Sequence, residues 1–182
     1  MQPRPPRPAD PPAIDWERLF DAHAARLVLY ARQWLADRAS AEDAVQGGFV
    51  RFIRACRIRA ATDSATNADV PLLFTAVRSE AIDIAKRSSR RRAREQRAAV
   101  DDAWWSDDPL VCHERQGAVR AALESLPIEQ REVVVLRVWG GLTYADIART
   151  LETNENTVVA RCRRALATLE RVLPEVCREP LS

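Results

Sequence analysis

The chain has 182 residues, a formal net charge of +2, 47% hydrophobic residues and only 6% aromatic ones, with eleven prolines against five glycines. That length allows one ordinary domain or two small ones, and the alanine-rich, aromatic-poor balance favours small helical units over a large mixed core. Four scattered cysteines (Cys56, Cys112, Cys162, Cys177) and two histidines (His23, His113) never approach the paired spacing of a zinc or redox site. No apolar run reaches the roughly 20 residues that cross a bilayer, so a reduced, cytoplasmic protein without metal or cofactor is expected.

Residues 1–13 contain six prolines and no apolar core, which predicts a disordered lead-in and no signal peptide. From Ile14 a helix is predicted, with Leu19, Phe20, His23, Leu27 and Tyr30 on one stripe. Ser40 then stands ready to open a second helix, with Glu42 and Asp43 in its first turn and Val45, Phe49, Phe52 and Ile53 on its core face. Gly47-Gly48 inside that helix costs about 1 kcal/mol per glycine relative to alanine, which points to a bend or a close approach by another backbone. Arg57 to Val70 has no sustained period and reads as a loop. Pro71 suits the start of a third helix, whose apolar face is Leu72, Phe74, Val77, Ala81, Ile82 and Ala85.

That helix runs into Lys86–Arg97, where seven basic residues stand against one acid, and Asp101–Asp108 then carries four acids and no base. A nearly neutral chain can thus still present a strongly positive face to a polyanion. The acid-rich stretch with Trp104-Trp105 reads as a flexible linker over 98–113. It divides a first unit, 14–97, from a second, 114–174, with a tail at 175–182. The fold class predicted is all-α: two small helical domains, the second a helix-turn-helix.

In the second unit a helix through Val119, Leu123 and Leu126 stops at Pro127, and IEQREVVVLRVW runs on to Gly140-Gly141. Thr143 and Asp146 form a T-x-x-D start for a short helix with Ala145, Ile147, Ala148 and Leu151. Asn154 caps a longer one. On it Val158, Cys162, Ala165, Leu166, Leu169 and Val172 share the predicted core face, while Asn156, Val159, Ala160, Arg163 and Arg164 face away. A helix after a tight turn, with arginines on its free face, suits the DNA major groove. A solvated arginine face on an ordinary helix pair is the bland alternative.

The run Leu126–Leu173 resembles region 4 of the extracytoplasmic-function sigma factors. The residues carrying that resemblance are Leu126-Pro127, Arg131, Leu136-Arg137, Gly141-Leu142-Thr143-Tyr144, Ile147-Ala148, Thr157-Val158, Arg161 and Arg164-Ala165. SAEDAVQGGFVRFIRA is similar to the family's region 2.2, and Pro71 to Arg92 to its regions 2.3 and 2.4. The resemblance covers residues 15–173 and implies a factor that brings core RNA polymerase to a promoter, with no catalytic residue of its own.

By this resemblance Glu42, Asp43, Gln46, Phe49 and Val50 match the surface that docks on the clamp helices of the polymerase. Arg78, Ser79, Lys86 and Arg87 match positions near the opened −10 element, with Arg57 to Val70 as a specificity loop. Asn156, Thr157, Val159, Ala160, Arg163 and Arg164 match the face that reads the −35 element. The flap of the polymerase is a further implied contact, and an anti-sigma factor that covers these faces is an implied partner. Gly47 stands where the family usually has an acid, Ser79-Glu80 replaces an asparagine-containing step, and Val159-Ala160 replaces a basic-serine pair, so a divergent promoter preference is implied. The rival reading is a helix-turn-helix operator-binding regulator, which accounts for 116–173 but leaves the AEDAVQ helix unexplained. A hydrolase or transferase has no nucleophile-base motif or phosphate loop to support it.

Overall fold

The computed structural model describes residues 15–62, 69–95, 119 and 121–173, and helices account for nearly all of them. The predicted lead-in, linker and tail lie outside these residues, as do Trp104-Trp105, Cys112, His113 and Cys177. No strand occurs among the described residues, and none of their helices is long and apolar enough to cross a membrane.

In the first unit α1 spans Trp16–Ala31, and the Asp15 side chain caps it by accepting from Arg18 N–H. α2 spans Arg38–Thr62. It starts earlier than the sequence predicts, because Asp37 rather than Ser40 supplies the cap: its carboxylate accepts from Ser40 N–H at 2.7 Å. Glu42 and Asp43 therefore sit one turn further in. α2 also ends later, so the predicted loop from Arg57 is a correction: Arg57 to Thr62 is helical. Arginine and alanine are strong helix formers, and they carry the helix on without an apolar stripe to announce it; Ile58 there is 68% exposed. α3 spans Val70–Glu95, with Asp69 accepting from Leu72 N–H at its start.

α2 and α3 form the most extensive helix pair of the fold. A Cβ at Gly48 would stand 2.7 Å from the Val77 Cα and 2.8 Å from its nitrogen, so Gly48 is what lets the α3 backbone come this close. Around the contact Phe49 meets Phe20 edge-on at 5.2 Å, and Tyr30 meets Phe74 at 5.5 Å. Such edge-to-face pairs add to the burial of Leu27, Phe52, Leu73 and Val77.

In the second unit a helical segment over 121–124 leads to Pro127, which caps α4 (Ile128–Val138). Gly140 and Gly141 end α4, and Gly141 takes a left-handed φ of +68° while Leu142 N–H reaches back to the Leu136 carbonyl at 3.1 Å. α5 spans Tyr144–Thr150 and α6 spans Glu155–Val172, joined by a turn in which Glu152 has φ +50°. Val158, Cys162 and Ala165 of α6 are buried as predicted. Leu166 and Val172 are not: they are 46% and 47% exposed, since α4 and α5 cover only one side of α6. Ala145 is likewise exposed.

The two units do not stand apart. Apolar residues of α1–α3 and of α4–α6 fall in one contiguous cluster, from Leu27, Phe74 and Val77 to Val133, Leu136 and Ile147. At this seam Thr75 Oγ1 donates to the Pro71 carbonyl and reaches the Thr150 carbonyl at 3.4 Å, and Arg149 lies 3.6 Å from the Asp69 carboxylate.

Candidate nucleic-acid interface

The starts of α5 and α6 are both set by local chemistry. Thr143 and Asp146 make a full capping box: Asp146 N–H donates to Thr143 Oγ1 at 3.1 Å, and the Asp146 carboxylate accepts from Thr143 N–H and from its hydroxyl at 2.7 Å. The Thr143 hydroxyl, and beyond it the Arg149 guanidinium at 2.7 Å, hold the Asp146 carboxyl below its ordinary value. Asn154 caps α6 by accepting from Thr157 N–H at 2.7 Å and from the Thr157 hydroxyl at 2.8 Å. Arg137 braces the glycine turn, donating to the Leu142 carbonyl at 2.9 Å with its guanidinium 4.8 Å from the Tyr144 ring centre.

On the free face of α6 Asn156, Arg163 and Arg164 are exposed, and Thr157, Val159 and Ala160 are half-buried. The six predicted residues thus share one surface at the helix N-terminal half. Arg131, which carries part of the family resemblance, points elsewhere: it donates to the Leu126 carbonyl at 3.3 Å, and burial lowers its proton affinity. It ties the 121–126 segment to α4.

The residues predicted near the −10 element are spread along α3. Ser79, Lys86 and Arg87 are exposed; the Ser79 hydroxyl donates to the Thr75 carbonyl, and Arg87 pairs with Glu80 at 3.2 Å. Arg78 is different. Its Nε donates to Glu132 Oε1 at 2.6 Å and its Nη2 reaches Oε2 at 3.4 Å, so a carboxylate of the second unit takes the guanidinium. Tyr30 donates to the same Oε1 at 3.3 Å, and Trp34 packs against both, its ring 5.1 Å from Tyr30 and 5.9 Å from the Arg78 guanidinium. The Glu132 side chain is 4% exposed and that of Arg78 34%. Burial, then the Glu132 charge, hold the Tyr30 phenol well above its ordinary value, so it stays a donor. The Glu132 hydrogen bond in turn raises the proton affinity of Arg78.

The sequence pattern singles out neither Glu132 nor Trp34, and it marks Tyr30 only as part of the apolar stripe of the first helix. The one visible signal is an acid embedded in the apolar run Glu132-Val133-Val134-Val135-Leu136, where a core-facing carboxylate demands a partner.

On α2, Asp43, Gln46 and Val50 are exposed and Glu42 is half-exposed, the last in an ion pair with Arg38 at 2.7 Å. Phe49, predicted with them as a docking residue, is buried beneath this surface and shapes it from within. Glu42 and Gln46 border a groove of about 470 Å³ between α1 and α2, floored by Phe20, Val28 and Val45. Among the described residues no cluster of three His, Cys, Asp or Glu could hold a metal ion.

The chain is similar to known proteins in sequence and in fold. Residues 116–169 match the family model "Sigma-70, region 4". Over 161 residues the chain is 32% identical to the ECF RNA polymerase sigma factor SigM of Mycobacterium tuberculosis, covering 87% of this chain and 76% of that one. It is 28% identical to the ECF RNA polymerase sigma factor SigK of Mycobacterium bovis, over 85% and 83% of the two chains. In fold it is similar to the sigma factor RpoE of Bartonella quintana, solved in complex with the anti-sigma factor NepR, at a TM-score of 0.66 and 19% identity, covering 87% of this chain and 96% of that one.

Proposed function

The chain belongs to the extracytoplasmic-function sigma factors, and from that membership we propose how its surfaces divide the work of promoter-directed initiation. It is a DNA-binding initiation factor that associates with core RNA polymerase and directs it to promoters. The making of phosphodiester bonds belongs to the polymerase, and the chain supplies no catalytic group. Its place of action is then the cytoplasm, where the polymerase works.

α6 reads the −35 element. Asn156, Thr157, Val159, Ala160, Arg163 and Arg164 form its contact face, with base edges met near the helix N-terminus and phosphates by the two arginines. Val159 and Ala160 are short and apolar, a surface suited to a thymine methyl rather than to a hydrogen-bonded base. The exposed side of α2, with Glu42, Asp43, Gln46 and Val50 over the buried Phe49, docks on the clamp helices of the polymerase. An acidic and apolar face beside a groove complements a basic helical partner. Arg78, Ser79, Lys86 and Arg87 serve the −10 strand, whose backbone needs cations once the duplex opens.

The observation that carries the assignment is that relatives matching 87% of the chain are sigma factors, so the first unit is accounted for as well as the helix-turn-helix. A simple operator-binding regulator leaves the α2 surface without a purpose. An anti-sigma factor, such as the one bound to the structural relative, is a fitting inhibitor for faces of this kind. The test is a binding titration of the labelled full chain against purified core polymerase, with Asp43→Lys and Gln46→Lys compared in parallel. Loss of affinity in both variants, with unchanged helicity, is the expected result; equal affinity in all three removes α2 from the docking surface.

A further inference from the structure

Glu80 stands on α3 among the residues proposed to serve the −10 strand, yet its side chain is only 15% exposed. It lies across α2. A Cβ at Gly47 would come within 3.0 Å of the Glu80 Cγ and 3.1 Å of its Cδ, so the bare backbone at Gly47 makes a seat for the carboxylate. From that seat each oxygen meets a different helix. Oε2 accepts from Arg51 Nε of α2 at 2.9 Å, and Oε1 accepts from Arg87 Nη2 of α3 at 3.2 Å. Asp83 adds to the grip on both arginines: its carboxylate lies 3.5 Å from Arg51, and its carbonyl accepts from Arg87 Nε at 3.2 Å.

These bonds hold the Arg87 guanidinium without exhausting it. Of its five N–H donors one goes to Glu80 and one to the Asp83 carbonyl, while the side chain stays 65% exposed. The donors left over have no acceptor among the described residues. A guanidinium already fixed in one orientation loses less freedom when it meets a phosphate, whose oxygens take its planar fork of donors.

We propose that Glu80 is a positioning residue for promoter opening: seated on Gly47 and anchored by Arg51, it orients Arg87 toward the backbone of the −10 strand and does not itself touch DNA. This role rests on the reading of Arg87 as a −10 contact. The opposite role, neutralising Arg87, predicts an effect of opposite sign.

Holoenzyme formed from the full chain and core polymerase is titrated at several salt concentrations against a labelled single strand. The probe is the −10 segment of a genomic fragment that the wild-type chain transcribes. Arg87→Ala is expected to weaken binding several-fold and to lower the slope of log K against log salt by about 0.7, one phosphate contact on a single strand. Glu80→Ala is expected to weaken binding and lower the slope in the same direction, although every cation is still present. On the Arg87→Ala background Glu80→Ala is expected to add nothing, whereas a general loosening of α2 on α3 would cost the same on either background. Glu80→Gln keeps an oxygen for Arg87 and is expected to recover most of the affinity. Tighter binding by Glu80→Ala overturns the positioning role in favour of neutralisation, and equal losses on both backgrounds overturn it in favour of packing. A loss with Arg87→Ala but not with Glu80→Ala defeats the role of Glu80 alone. No loss with Arg87→Ala defeats the reading of Arg87, and a wild-type chain that transcribes no fragment defeats the sigma-factor assignment beneath both.

Discussion

Arg163 and Arg164 on α6 stand in solvent, whereas Arg78 on α3 is turned against a carboxylate from the other unit, and the difference follows from how each helix is held. α6 has its own Asn154 cap, the preceding α5 has the Thr143–Asp146 box and the Arg137 brace, and Val158, Cys162 and Ala165 bury one side of α6 in the core. Its outer side chains are therefore left to a partner. α3 is fixed along its length by distant elements, by α2 through Gly48 and by α4 through Glu132. α6 buries one side and leaves Arg163 and Arg164 exposed, while α3 is flanked by both α2 and α4 and has Arg78 already committed.

The contrast can be broken from either side. The largest effect is expected on the open face. Arg163→Ala and Arg164→Ala should each weaken duplex DNA binding by about 1–3 kcal/mol if they meet a base edge. A phosphate contact instead lowers the slope of log K against log salt by about 0.9. Anisotropy titrations at several salt concentrations distinguish the two, and unchanged binding in both variants takes the arginines off the interface.

Next comes the tightly packed side. Gly48→Ala drives a methyl group into the Val77 backbone, at a cost of about 1–3 kcal/mol for overpacking, offset by about 1 kcal/mol of helix propensity. Gly47→Ala meets the Glu80 side chain instead, with Cγ at 3.0 Å and a carboxylate paired to Arg51 and Arg87, so a small shift there offsets the gain in helix propensity and a smaller loss than at Gly48 is expected. Urea melts of the two variants therefore diverge in size. If they coincide, the α2–α3 contact is looser than its geometry indicates.

A smaller effect is expected at the α6 cap. Asn154→Ala leaves the Thr157 N–H without its partner and should cost about 1 kcal/mol, with DNA affinity falling in step as the reading helix frays. Replacement by Asp or Ser is expected to recover most of the loss.

The smallest effect is the pH dependence of the capping box. The Asp146 carboxyl lies below its ordinary value of 3.8 in the folded chain, so its stabilisation is present above that value and is lost as pH falls through the folded one. The Tm difference between wild type and Asp146→Asn should thus hold at neutral pH and shrink in strong acid. A constant difference across that range means the carboxylate charge plays no part.

Much of the second unit was legible in the sequence, since its determinants are short-range. Gly141, Thr143 with Asp146, and Asn154 each announce a turn or a cap through residues three or four apart, and the 3.6-residue period marks Val158, Cys162 and Ala165 as core. Leu166 and Val172 show where that period misleads: it marks an apolar face but not how much of it the neighbours cover. The end of α2 was illegible for a different reason. Arg57 to Thr62 is helical although no apolar stripe marks it in the sequence. At its start, Asp37 and Ser40 are both fair caps, and only the backbone shows that Asp37 prevails.

The site divides along the same line. The α6 face was visible because its residues share one helix. The engagement of Arg78 was not, because it depends on α3 meeting Tyr30 and Trp34 at the end of α1 and Glu132 on α4. Phe49 belongs with these cases, since the period places it on the core side while the resemblance draws it to the docking surface; packing against Phe20 leaves it inside.

The most direct measurement is runoff transcription with purified bacterial core polymerase, the full chain and a library of genomic fragments. Discrete transcripts that vanish when the chain is omitted, with a shared −35 motif upstream that is lost on Arg163→Ala, are the predicted result. Clean binding of duplex DNA by the chain without any core-dependent transcript would contradict the assignment and return the helix-turn-helix to a plain operator-binding role.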